Sequence, residues 1–300
     1  MIVTVTLNPA VDKTYNTDSV RLGDVNRMRS AFSVAGGKGI NVAKILRQFH
    51  LPVAVMGFLG GYSGRMIEDT MSKMGAECHF TRTKKDTRTS INILGDDGYV
   101  TELLEPGPDI SEKELDNFLK EFEYCLEGGE LFVLSGSVPG GVPLDIYARL
   151  IRRCREEKRK VFLDTSGELL REGIKEKPYL VKPNKKELEY IAGRKLTDRE
   201  DVIGEAKKLV EQGIEKVVVS LGREGLVYAD RERVLFEPAK AVKAVNTVGC
   251  GDSVVASLCM SEVSGDDCQL ALRKAAALAA ANATTRETAM IPLNSYLDLL

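Results

Sequence analysis

The chain has no tryptophan and only two histidines, His50 and His79. So few imidazoles argue against a His-ligated metal centre and against a Ser–His or Cys–His nucleophilic device. Acid–base chemistry then falls to carboxylates or lysines. His50 follows a helical run and precedes Leu51-Pro52, the place of a helix-end residue. Six cysteines (Cys78, Cys125, Cys154, Cys250, Cys259 and Cys268) lie far apart and form no C-x-x-C pair. They read as reduced thiols of a cytosolic protein, mostly small core residues. No apolar run approaches the roughly 20 residues of a membrane helix. The opening MIVTVTLNPA lacks the basic start, long apolar core and cleavage site of a secretory signal, and reads instead as a first strand. The expected location is cytoplasmic. A formal net charge of −2 leaves no basic footprint for nucleic acid or for an anionic membrane. No internal repeat or low-complexity linker is present.

What the chain does have is alternation. Apolar, Val/Leu/Phe-rich runs at 2–7, 53–58, 131–135, 161–164, 179–182 and 217–221 read as strands covered on both faces. Between them, amphipathic runs at 39–49, 65–74, 112–126, 143–157, 185–192 and 199–212 read as helices, with two more at about 253–263 and 266–286. This βαβ rhythm implies an α/β fold with a mostly parallel sheet and helices on both sides. Two stretches break it. Residues 12–34 carry β-prone residues but no clean helix. Residues 89–104 alternate polar and apolar around Gly95-Asp96-Asp97-Gly98, a hairpin-turn sequence. Together they read either as a small β-layer outside the main sheet, serving as a lid or a dimer contact, or as edge strands of that sheet.

Six constellations could carry chemistry. Val248-Gly249-Cys250-Gly251-Asp252 follows an extended stretch, 242–247, and opens a helix. Its glycines permit a tight turn and close ligand approach, and free amides at a helix start attract anions. Asp252 is then either the helix N-cap or a base that takes a proton from a hydroxyl while the amides hold a phosphoryl group. Ala35-Gly36-Gly37-Lys38-Gly39-Ile40-Asn41 surrounds one lysine with three glycines. It is not a Walker A loop, since Gly follows Lys38. Nor does VGCGD complete a dinucleotide fingerprint, because Val254 stands at the third glycine position. Lys182-Pro183-Asn184-Lys185-Lys186-Glu187 has the spacing of a capping box. Alternatively, Asn184 and Glu187 organise a hydrated Mg²⁺, with Glu187 acting through water, while Lys182 meets a nucleotide phosphate. Ser220-Leu221-Gly222-Arg223-Glu224-Gly225 is a β-turn or a nucleotide shelf. Arg88-Thr89-Ser90, with Ser137 in the loop after the 131–135 strand, could meet a phosphate. Asp12, just past the first strand, is a turn former or an acceptor for sugar hydroxyls.

Taken together, TLNPAVD, GGKGIN, KPNKKE, SLGREG and NTVGCGD, in this order and at these separations, resemble the ribokinase-like carbohydrate kinases of the PfkB family. The match spans nearly the whole chain, and TLNPAVD with TRTSIN is similar to the hexose-phosphate branch. The resemblance implies one kinase domain over 1–300. It implies a ribokinase-like three-layer α/β sandwich and a small β lid, formed by about 12–35 and 88–105, through which a homodimer could assemble. It implies ATP and Mg²⁺ as cofactors, a ketohexose phosphate as acceptor, Asp252 as base, and Gly249, Cys250 and Gly251 as an anion hole. Cys250 stands where many relatives carry alanine. Asp12, Gly36, Gly37, Lys38 and Asn41 would meet the sugar, with Arg88, Ser90 and Ser137 near its phosphate. Lys182, Asn184, Glu187, Ser220, Gly222 and Gly225 would surround ATP–Mg²⁺, with Asn282 near adenine. A non-catalytic nucleotide- or sugar-binding module on the same fold is the alternative from another class. Asp252, at the ordinary aspartate pKa of about 3.9, would be ionised at neutral pH.

Overall fold

The structure, a computed structural model, describes residues 1–97 and 99–300. The expected turn glycine Gly98 lies outside the described residues. In chain order the elements are β1 Ile2–Thr6, β2 Ala10–Thr17, β3 Ser30–Gly36, α1 Lys38–Gln48, β4 Val53–Leu59, α2 Gly61–Lys73, β5 Glu77–Arg82, β6 Arg88–Gly95 and β7 Val100–Leu104. Then come α3 Glu112–Gly128, β8 Leu131–Ser135, α4 Ile146–Glu156, β9 Lys160–Asp164, α5 Gly167–Lys175, β10 Leu180–Val181 and α6 Lys185–Ala192. The last third holds α7 Arg199–Glu211, β11 Lys216–Ser220, β12 Gly225–Ala229, β13 Val234–Pro238, α8 Cys250–Ser264, α9 Cys268–Ala283 and α10 Leu293–Leu299.

Nine strands form one sheet in the order β13-β12-β11-β10-β9-β8-β1-β4-β5. All neighbours run parallel except the β11–β12 and β12–β13 pairs. Side chains alternate faces along each strand. Val3, Met56, Phe132, Leu163 and Val219 therefore enter one core, against α3 to α7. Ile2, Val55, Val133, Phe162 and Val218 enter the other, against α1, α2 and α8 to α10. Both faces being covered explains why these strands read as continuous apolar runs. The expected three-layer arrangement is present. It matters for function because β1 sits between β4 and β8, with the chain leaving it first to one side and later to the other. A crevice therefore opens beyond the carboxyl ends of β1, β8 and β9, the usual ligand position in such sheets.

Residues 10–17, 30–36, 88–95 and 100–104 form a separate sheet, in the order β3-β2-β6-β7, in which β2 and β6 run parallel. They are not edge strands of the large sheet. Several expected boundaries move for local reasons. The last helix pair starts at Cys250 and Cys268 rather than 253 and 266. Residues 242–247 form no strand. Pro183 stops β10 at Val181, since proline cannot donate to the ladder. Strands β5, β12 and β13 and helices α5 and α10 add to the expected set. Of the cysteines, Cys125, Cys154 and Cys259 are buried and the other three partly so; none is bonded to another. His50 sits just beyond α1 at φ 61, as a helix-end residue does.

The sheet also depends on one close approach. Gly57, in the middle of β4, has φ 153, and a Cβ there would lie 1.9 Å from the Thr6 carbonyl oxygen. Gly57→Ala must push β4 away from β1 at the mouth of the crevice. Chemical denaturation should show a loss of about 3 kcal/mol or more, in the range of backbone strain combined with core overpacking.

Candidate active site

Helix α8 begins with Gly249 as N-cap, at φ 81 and with no side-chain cap. A Cβ on Gly249 would meet the Thr288 methyl at 2.5 Å, so both space and dihedral demand glycine. Asp252 is therefore not the N-cap; it lies in the first turn of the helix. The turn before it is pinned by two buried amides. Asn246 Oδ1 accepts from the Val248 N–H at 3.0 Å, and Asn282 Nδ2 donates to the Val248 carbonyl at 2.8 Å. Among the described residues the amides of Gly249 and Gly251 have no hydrogen-bond partner, whereas the Cys250 N–H points back to the Thr247 carbonyl at 3.3 Å. Of the three amides expected to form the cradle two are free, and among the described residues the Asp252 N–H beside them has no partner either.

Asp252 is only 6% exposed. Its Oδ2 accepts from Asn41 Nδ2 at 2.8 Å, which leaves Oδ1 available. Burial raises its pKa above the ordinary aspartate value, aided by the neighbouring Asp164, while Lys38, the Asn41 hydrogen bond and Lys182 pull it down. The carboxylate is thus a stronger base than the free side chain assumed from sequence. Asn41, expected at the sugar, holds this carboxylate in place.

Behind it lies a charged cluster built on Asp164, which ends β9 and is 1% exposed. Lys38 Nζ sits 3.1 Å and Lys182 Nζ 3.2 Å from its Oδ1, while Oδ2 is buried with no partner. Burial alone would raise the Asp164 pKa; the two ammonium groups outweigh it and hold the carboxyl below its usual range. Burial would lower the Lys38 pKa, but Asp164, Asp252 and Glu187 raise it on balance. Lys182 faces the helix start, since a Cβ on Gly251 would be 3.6 Å from its Nζ, whereas Lys38 lies against the turn after β8, where a Cβ on Gly136 would be 3.8 Å from its Cβ.

On the other side, the small sheet brings Asp12, Arg88 and Ser90 together. Asp12 pairs with Ser90 in register, and a Cβ on Gly36 would fall 2.0 Å from Asp12 Oδ2. Gly37, at φ 107, lets α1 start against Pro9 and Thr6. Arg88 donates from Nε to the Asn8 carbonyl at 3.2 Å and from Nη1 to the Glu105 carbonyl at 3.0 Å. Ser137 accepts from Asn8 Nδ2 at 3.3 Å. Burial pushes the Asp12 pKa up to about 6, against the pull of Lys44 and Arg88 and with the push of Asp252.

A base, two ammonium groups and free helix-start amides at one crevice suit transfer of an anionic group. The sequence profile of the pfkB family carbohydrate kinases matches residues 5–294. The chain belongs to that family. It is 40% identical over 256 residues to the 1-phosphofructokinase of Bacillus subtilis, covering 85% of this chain and 84% of that protein. Its structure is similar to phosphofructokinase-2 from Escherichia coli in complex with substrates and products. The TM-score is 0.92 at 27% identity, over 99% of this chain and 97% of that one. Arabidopsis thaliana ribokinase, at 21% identity and a TM-score of 0.78 over 99% and 97% of the chains, shares the fold.

In this pfkB kinase the remaining expected residues lie along the carboxyl ends of β10 and β11. Asn184 and Glu187 form a full capping box for α6: Asn184 Oδ1 accepts from the Glu187 N–H at 3.0 Å, and Glu187 Oε2 accepts from the Asn184 N–H at 2.8 Å. Glu187 Oε1 is left over. Ser220 bridges to Asn184. Gly222, at φ 60, borders open space, whereas Gly225, at φ 128, is packed under Pro238; only the first can offer a ligand shelf. Asn282 departs from expectation. It is 1% exposed and its oxygen accepts from the Ala289 N–H at 2.9 Å, so it braces the helix-start turn and has nothing left for adenine. Asp164 is the residue that sequence reasoning missed. Its one signal is a charged residue closing the apolar strand Val161-Phe162-Leu163.

The raised Asp12 carboxyl has a stability consequence. Its protonated form is favoured in the folded state, so its contribution is fully present below the unfolded pKa near 3.8 and is lost as pH rises through about 6. Asp12→Asn should therefore be more stable than the native chain at pH 7 by roughly 1–3 kcal/mol. That advantage should vanish below about pH 4. Urea unfolding at the two pH values tests it, and an advantage independent of pH would contradict the assignment.

Proposed function

We propose that this kinase transfers the γ-phosphoryl group of ATP to the 6-hydroxyl of fructose 1-phosphate, giving fructose 1,6-bisphosphate and ADP. The observation that carries the chemistry is Asp252: a buried carboxylate of raised basicity, oriented by Asn41, next to free amides and two lysines. The choice of sugar phosphate rests on the 40% identity to a 1-phosphofructokinase.

As the acceptor oxygen bonds to the γ-phosphorus, its proton passes to Asp252 and the bond from phosphorus to the bridging oxygen of ADP breaks. The migrating group is loose and anionic, so positioning and charge dominate. The Gly249 and Gly251 amides and the Lys38 and Lys182 ammonium groups lie where that charge develops. Asp12 and Gly36 would hold the sugar, with Arg88, Ser90 and Ser137 around its existing phosphate. Ser220 and Gly222 would border the nucleotide. Magnesium takes few carboxylates and keeps several waters. The spare Glu187 oxygen fits such a hydrated ion, which would neutralise the nucleotide phosphates. The small sheet would cover the acceptor as a lid. Its outer strand β7 exposes Leu103 and Leu104, the surface through which a homodimer would assemble.

Asp252→Asn should keep nucleotide and sugar binding and lose roughly 10²–10⁴-fold in turnover, the range for a general base. Near-normal turnover would remove it from that role. Arg88→Ala should raise the KM for the sugar phosphate about ten- to a hundredfold, the worth of a charged hydrogen bond; an unchanged KM would deny it the phosphate. A coupled ADP-release assay with fructose 1-phosphate, tagatose 6-phosphate and unphosphorylated sugars decides the acceptor. Turnover confined to tagatose 6-phosphate would reassign the substrate, and nucleotide binding with no turnover on any sugar would make the chain a binding module.

A further inference from the structure

We propose that Asn8 is a positioning residue that fixes the spacing of Arg88 and Ser137 and thereby the preference for an acceptor already carrying phosphate. This rests on the reading of Arg88 and Ser137 as contacts to that phosphate.

Asn8 lies in the bend just after β1, which ends at Thr6; it is outside the residues the mechanism uses and is 5% exposed. It touches every segment that frames the phosphate side of the crevice. Its backbone carbonyl accepts from Arg88 Nε at 3.2 Å, at the start of β6. Its side-chain Nδ2 donates to Ser137 Oγ at 3.3 Å, in the loop after β8. The same nitrogen donates to the Pro106 carbonyl at 3.0 Å, in the chain leaving the small sheet. Arg88 also holds that departing chain through the Glu105 carbonyl. One residue thus connects a guanidinium at the start of β6 and a hydroxyl in the loop after β8, 49 positions apart in sequence.

The local chemistry makes the link stiff. Pro9 follows, so Asn8 is biased to extended backbone, which aims its carbonyl away from its side chain. The Pro106 carbonyl can only accept, so the side-chain nitrogen must face it and the oxygen is left over. That oxygen is buried with no partner. Gly107, at φ 96, closes over it, since a Cβ there would lie 2.2 Å from Asn8 Oδ1. A leucine-sized apolar residue would remove the unmet acceptor, but it would also release Ser137 and the departing chain. Buried unsatisfied atoms are uncommon in native structures and call for an explanation; the placement of Arg88 against Ser137 supplies one. Specificity that depends on buried polar geometry of this kind can be large, because a misplaced donor fails only against the substrate that needs it.

The test is steady-state kinetics with fructose 1-phosphate and with fructose as acceptors, on Asn8→Ala, Asn8→Asp, Arg88→Ala and the Asn8→Ala/Arg88→Ala double variant. Asn8→Ala should lower kcat/KM for the phosphorylated sugar about tenfold more than for fructose, mainly through KM, with the KM for ATP little changed. Asn8→Asp keeps the shape but loses both donors and adds a like charge, so it should discriminate still less. In the double variant the two losses should combine to less than their product: Asn8→Ala keeps the backbone carbonyl that Arg88 meets but frees the chain at Pro106, whose neighbouring Glu105 carbonyl also holds that guanidinium. Equal losses on both acceptors, or a fully multiplicative double variant, would overturn the proposal and leave Asn8 a structural residue. If Arg88→Ala itself leaves the sugar-phosphate KM unchanged, the phosphate reading fails first and the proposal falls with it. If the alanine variant does not fold, the isosteric aspartate variant carries the test. Failure of both to fold would assign Asn8 to folding and also overturn the proposal.

Discussion

Asp164, sealed under the crevice and facing two ammonium groups, is the constraint on which the site depends. A carboxylate taken out of water costs several kcal/mol unless it is paired. Here the pairing draws Lys38 from the start of α1 and Lys182 from the end of β10 to one oxygen. Those elements lie in different parts of the chain and, with α8, surround the place where charge moves. Breaking such a pair by removing one partner is far costlier than replacing the whole, so each member holds the others. Burial raises the proton affinity of Asp252, and the same cluster modulates it: both lysines pull it down while Asp164 pushes it up.

The second theme is backbone approach. A Cβ on Gly36, Gly39 or Gly57 would collide with Asp12 or Thr6, and Gly37, at φ 107, lies close against Thr6 and Pro9. The glycines of the lysine-bearing motif therefore act by letting α1 begin directly against the end of β1. That places Asn41 within hydrogen-bond reach of a carboxylate 211 residues away in sequence.

Much of this was readable in the chain because the relevant signals are local. Continuous apolar runs marked the doubly covered strands, and Asn184 with Glu187 three residues on marked the start of α6. The paired glycines before Asp252 marked a helix-start turn, though not that Asp252 would sit inside the helix. Other features were hidden for physical reasons. Helix α5 carries Gly167 and Gly173, which lower intrinsic helicity. Gly173 is required because a Cβ there would be 2.6 Å from a Leu163 methyl, a tertiary demand that no window of sequence reveals. Asp164 looks like any aspartate at a strand end, and only the fold brings the two lysines to it. Asn282 reads as a polar residue near a nucleotide; its burial under the helix-start turn is set by the loop around Ala289, which has no sequence signature.

Helix α8 is unusual in having almost no wet side: residues Asp252 to Cys259 are all buried. At its far end Glu262 is gripped by Lys160, Lys216 and Tyr179. An element so enclosed cannot tilt or slide without opening apolar surface to water. Asp252 is consequently as immobile as the core itself, and under the proposed role as base, heat should silence catalysis only when the interior melts, while the small sheet, thin and separate, can loosen earlier.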